Sequence, residues 1–204
     1  MNSRAIGKII TASLLAILAT TLVGCSAGDQ STPISAPSAS ATAETAEPKP
    51  TEPDGTRENP YLAGTKARLA ADSVWTVGFQ AANTNAAALV IAENEFNTVV
   101  EGRSMVMSEA TFDVNGDTAQ DLSDGANILW SLTFEYVTAG GVSYGSGSDD
   151  SCGVVPNDYY NIGTLYAGAA ASGNVCVQVP TAEIVGGLWS VTNNQGDKLF
   201  FATV

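Results

Sequence analysis

The sequence predicts an all-β antiparallel sandwich or barrel over residues 61–204, behind two segments that cannot form a core. Three observations carry this. Apolar residues alternate with polar ones in short runs, clusters of Gly, Asn, Asp and Pro separate the runs, and helical periodicity is nearly absent. The clearest run is Ile128–Tyr136, in which Ile128, Trp130, Leu132, Phe134 and Tyr136 fall on one face and Ser131, Thr133 and Glu135 on the other, as in a half-buried strand. Weaker alternation marks strands at Trp75-Val77-Phe79, at Val106-Ala110-Phe112-Val114 and at Val175-Val177-Val179. Turn chemistry appears at Asn115-Gly116-Asp117, Ala139-Gly140-Gly141, Val155-Pro156-Asn157-Asp158 and from Val191 to Gly196. The alanine-rich stretch Asn83–Ile91 is ambiguous between a short helix and the approach to a strand with a turn at Asn83-Thr84-Asn85, and we read it as the latter.

Residues 1–24 read as an export signal. Arg4 and Lys8 precede an almost wholly apolar stretch, Ile9–Val23, which is short for a hydrocarbon core of about 30 Å. It ends in Leu22-Val23-Gly24-Cys25, which resembles the lipobox of bacterial lipoproteins: an aliphatic residue, two small residues and a thiol open to S-alkylation. The resemblance implies cleavage before Cys25 and a diacylglyceryl group on its sulfur. Two acyl chains, at about 0.8 kcal/mol per buried methylene, hold a protein on a membrane far longer than one does. The expected localisation is the extracellular face of the cell membrane.

From Cys25 to Pro60 the chain is rich in Ser, Thr, Ala, Pro and Glu and lacks aromatic residues. Such a segment buries too little apolar surface to offset its ordering entropy, so the expectation is a disordered tether with a reach of roughly 30–35 Å. Loss of Arg4 and Lys8 with the signal would take the formal charge from −13 to −15. That charge disfavours nucleic acid and anionic headgroups and suits solubility, or basic or cationic partners. Cys152 and Cys176 are an even pair in an exported chain and read as a disulfide. With no histidine in the chain, the usual zinc sets are incomplete.

Several segments together resemble a family. They are Asn59-Pro60-Tyr61 with Gly64-Thr65, Trp75 on an early strand, Ala92–Asn97 in a connection, and Gly173–Pro180 late in the chain. The set is similar to the immunoglobulin-like extracellular domains of unknown function in actinobacterial and other Gram-positive lipoproteins, related in fold to a small secreted mycobacterial antigen. The resemblance implies an immunoglobulin-like antiparallel β-sandwich with a disulfide. It implies no catalytic residues.

Candidate chemistry is sparse. Gly141-Val142-Ser143-Tyr144-Gly145 fits the nucleophile-elbow pattern, but without a histidine base it reads as a glycine-rich hairpin. No pair of carboxylates is set apart for glycoside hydrolysis. Asp113, Asn115, Asp117, Asp121 and Asp124 occupy positions 1, 3, 5, 9 and 12 of a calcium-loop frame. Thr118 stands where that loop needs glycine, and Gln120 where an aliphatic residue packs, so a hairpin with solvated acids explains the same residues. Tyr159, Tyr160 and Tyr166, beside Asp158 and between the cysteines, form a candidate recognition surface or pack across the open end of the sandwich. The expectation is a non-enzymatic envelope interaction domain needing no cofactor, whose partners are the membrane, through the anchor, and an unidentified envelope or extracellular molecule. A calcium-stabilised domain is the alternative.

Overall fold

The chain divides into Met1–Glu47 and Pro48–Val204. The computed structural model describes residues 52–145 and 147–204. The signal segment, Cys25 and most of the expected tether therefore lie outside the described residues. No helix among those described is long and apolar enough to cross a membrane.

The domain is all-β: eight strands in two four-stranded antiparallel sheets. One sheet has β1 (Lys66–Arg68), β2 (Trp75–Phe79), β3 (Arg103–Val114) and β6 (Ala170–Pro180) side by side in that order. The other has β5 (Ser143–Tyr144), β4 (Leu132–Val137), β7 (Leu188–Asn193) and β8 (Lys198–Ala202). The chain crosses between sheets from β3 to β4, from β5 to β6 and from β6 to β7. Backbone pairing starts ahead of Tyr61: Phe200 N–H donates to Gly55 O, and Tyr61 bonds Phe200 and Ala202 along the free edge of β8. That coverage removes an exposed edge on which other chains could pair.

The main core lies between the sheets and is aromatic. Phe79 stacks on Trp189, with centroids 5.5 Å apart and planes 3° apart, and also meets Phe134 and Phe201. Tyr136 meets Trp189 edge-on, and its hydroxyl donates to Ile184 O at 2.6 Å. Gly187 makes room for that ring, because a Cβ there would overlap Tyr136. Gly187→Ala is expected to displace Tyr136 and lower stability by about 1–3 kcal/mol, read from the urea midpoint; an unchanged midpoint would contradict the packing.

A second, smaller core covers the outer face of the first sheet. Met105 and Met107 of β3 point outward and pack with Val90, Val155 and Cys152. The Cys152–Cys176 disulfide is present, with Cα atoms 5.9 Å apart, and joins the cover to β6. Gln178, 2% exposed, holds the cover from below: its side chain accepts from Val100 N–H and donates to Thr98 O and Ser151 O. Every polar atom of that buried amide is thereby partnered.

Two expectations fail locally. Asn83–Ile91 does turn at Asn83, but Ala87–Glu93 is a helix, α1, which lays Val90 on the second core. Within Ile128–Tyr136, Ile128–Ser131 forms a helical turn, α2, before β4 starts at Leu132. The side chain of Asn127 caps it by accepting from Leu129 N–H. Helical rotation of about 100° per residue buries Ile128 and turns Trp130 outward, 79% exposed, rather than onto the inner face.

Candidate functional site

The sequence-predicted residues fall on one side and one end of the sandwich. The open side lies between the edge strands β5 and β6, and the segment between the cysteines closes it. Ser151 bridges Val177, and Asp158 bridges Asn174, so the loop runs along the free edge of β6. Gly173 permits the close approach: a Cβ there would come within 2.7 Å of Tyr159 Cα. Asp158 caps the 3₁₀ turn Tyr159–Asn161 by accepting from Tyr160 N–H.

The three tyrosines separate. Tyr159 points inward, edge-on to Phe134 at 5.0 Å, and burial there pushes its phenol well above its ordinary pKa. It is a packing residue. Tyr160 and Tyr166 are exposed, at 62% and 58%. Tyr166 lies beside the Gly125 turn, which is tied in by paired bonds between Ala126 and Leu165. Trp130, which alternation placed in the core, is exposed as well, and the short helix α2 that carries it lies near the Tyr159–Asn161 turn.

A cavity of about 150 Å³ opens beside Tyr159 and Tyr160, with Asp150 in its wall. Asp150 receives Arg103 Nη1 at 2.6 Å and the N–H groups of Gly145 and Gly147 at 2.9 and 3.0 Å. Burial pushes its carboxyl up, but the Gly145 N–H, the Arg103 guanidinium and the Gly147 N–H outweigh burial and hold it below the usual carboxylate range. Arg103 also donates to Gln178 O and lies 5.4 Å from the centre of the Tyr144 ring. The pair fastens the start of β3 to the β5–β6 connection. A depressed native pKa means that the stabilisation is complete above the unfolded value of about 3.9 and is lost as pH falls through the lower native value. Asp150→Asn should cost about 1.5–3 kcal/mol at neutral pH and make the acid limb of the stability curve shallower. An acid limb identical to that of the parent would contradict this.

The aspartate frame does not assemble as a metal cage. Asp113 pairs with Lys66 at 2.9 Å and Asp117 with Arg68 at 3.0 Å, both cations coming from β1. The Asn115 side chain accepts from Thr76 and donates to Ser73 O. Asp121 accepts from Ser123 N–H in a local turn, which lowers its carboxyl pKa, and Asp124 is exposed. Among the described residues, no group of three or more Asp, Glu, His or Cys is placed to hold a metal ion. Ser143 of the Gly-x-Ser-x-Gly segment lies on the edge strand β5, in the hairpin closed by Thr138 and Val142.

No family model matches the chain, and no curated protein matches it. Among solved structures it is similar to a conserved hypothetical protein from Bacillus anthracis, at a TM-score of 0.39 and 12% identity over 69% of this chain and 94% of that one.

Proposed function

We propose that the protein is a lipid-anchored interaction domain on the outer face of a bacterial cell envelope, tethered through Cys25 and free of catalytic duty. The observation that carries the binding role is the exposed aromatic set Tyr160, Tyr166 and Trp130, displayed on hydrogen-bonded turns of a disulfide-fastened sandwich. Rigid aromatic side chains offer contact area at low entropic cost. Export is supported by the lipobox-like Leu22–Cys25 and by the disulfide, which persists in oxidising compartments. The immunoglobulin-like reading is supported by connectivity. β2-β3-β6 and β5-β4-β7-β8 fill the two sheets in the order in which immunoglobulin strands A-B-E and C′-C-F-G do.

The test is sedimentation of the unlipidated Cys25→Ser chain with washed envelope fragments. Saturable pelleting, weakened about tenfold by joint Tyr160→Ala and Tyr166→Ala, is expected. Pelleting that never saturates, or that ignores both substitutions, would overturn the reading.

A further inference from the structure

The cover over Met105 and Met107 consists of α1, the loop 94–100 and the segment 151–155. Leu89, Ile91, Phe96, Val99 and Val154, all exposed, belong to it. Single exposed apolar residues are ordinary. These differ in how firmly their backbone is held. Buried Asn97 ties the three parts together: its amide donates to Val90 O and Val154 O, and its side-chain oxygen accepts from Val154 N–H. Gly153 permits the approach, since a Cβ there would overlap that oxygen. Asn94 accepts from Phe96 N–H through its side chain and from Asn97 N–H through its carbonyl. Gln178 then grips Thr98 and Val100.

The backbone around Phe96 is thus fixed from three directions, yet its ring is 83% exposed and adds nothing to either core. A side chain displayed on so rigid a loop offers contact area with little left to order on binding. Phe96 also lines a cleft of about 310 Å³ that lies between its loop and the segment 149–153. The charge around this face has one sign. Asp149 is in the cleft wall, Glu95 and Glu101 adjoin the wall residues Phe96 and Val100 in the chain, and Glu93 ends α1. All four carboxylates are exposed, and among the described residues none forms an ion pair. Arg103, the cation at the start of β3, is engaged by Asp150.

We infer that this face docks a basic segment of a partner protein in which an apolar side chain stands between lysines or arginines. The apolar side chain covers Phe96 and Val99, and a neighbouring cation enters the cleft between the Phe96 ring and the Asp149 carboxylate, attracted by both. Charge complementarity selects this occupant. A second copy of the chain would bring the same four carboxylates against their counterparts, and an anionic lipid surface would meet the same repulsion. The surface is separate from Tyr160, Tyr166 and Trp130 and does not depend on the anchor, so it goes beyond the reading above.

The experiment titrates the ¹⁵N-labelled, full-length Cys25→Ser chain with capped peptides: Lys-Lys-Phe-Leu-Lys-Lys, the charge-only Lys-Lys-Ser-Ser-Lys-Lys and the reversed Glu-Glu-Phe-Leu-Glu-Glu. Saturable movement of the Phe96, Val99 and Gly153 amide signals is expected with the first peptide alone. Phe96→Ala should weaken that binding about tenfold at an unchanged melting temperature. Glu95→Gln combined with Asp149→Asn should weaken it about threefold at low salt, a difference that high salt removes. No movement at about 10 mM of the first peptide, enough to fill a site with Kd of about 1 mM, would overturn the proposal. So would equal movement with either control peptide, or a titration indifferent to Phe96→Ala. A dimer in sedimentation that Phe96→Ala dissociates would give the face to a second copy, and flotation with phosphatidylglycerol vesicles that the same change abolishes would give it to lipid; either result overturns it. Envelope pelleting that still depends on Tyr160 and Tyr166 would leave the binding reading standing after any of these failures.

Discussion

Phe79→Ala is expected to lower the unfolding free energy by about 3–5 kcal/mol, a large share of what a domain of this size has. Phe79 is fully buried and is the ring through which the two sheets meet: it belongs to β2 and contacts Phe134 of β4, Trp189 of β7 and Phe201 of β8. Truncation removes apolar contact and also leaves a cavity that flat neighbouring rings cannot collapse to fill. Phe79→Leu, which retains most of the volume, should recover more than half of the loss. Urea unfolding of both variants measures it. A loss below about 1 kcal/mol for the alanine would mean that the sheets do not pack around this ring.

Cys152→Ser is expected to be the second large effect. The disulfide closes a loop with a sequence separation of 24, and the chain-entropy relation gives roughly 3.5 kcal/mol for that length. At about 2–4 °C per kcal/mol for a domain of this size, the melting temperature should fall by about 7–14 °C. Because both cysteines serve one bond, the Cys152→Ser, Cys176→Ser double variant should melt close to either single variant. The same loop covers the second core and the edge of β6, so its protection against hydrogen exchange should fall first. An unchanged melt, with or without reductant, would contradict the stapling role.

The main sheets were legible in the sequence where one face of a strand is dry and the other wet. Trp75, Val77 and Phe79, like Val175, Val177 and Val179, alternate and all lie in the inter-sheet core. Met105-Val106-Met107 hid its structure because both faces of β3 are covered there, and a strand buried on two sides reads as a continuous apolar run. Helix α1 left no periodic signal because its seven residues bury only Val90. At Ile128–Leu132 the parity of apolar residues was ambiguous. Ile128 and Leu132, four apart, share a face in a strand and in a helical turn alike, and only Trp130 between them distinguishes the two.

The candidate sites divide in the same way. The cysteine pair was legible because two cysteines behind a segment that reads as an export signal are expected to pair, and the bond is present. The acids at Asp113 and Asp117 looked like ligands because the cations that engage them, Lys66 and Arg68, lie on another strand almost fifty residues earlier.

The account stands most directly on the mass of the intact chain extracted from cell membranes. It predicts a polypeptide that begins at Cys25, carries the added mass of a diacylglyceryl group, and is two hydrogens lighter than its reduced form, with no thiol open to alkylation. A chain that is uncut or unacylated, or that alkylates at Cys152 and Cys176 without reductant, would contradict it.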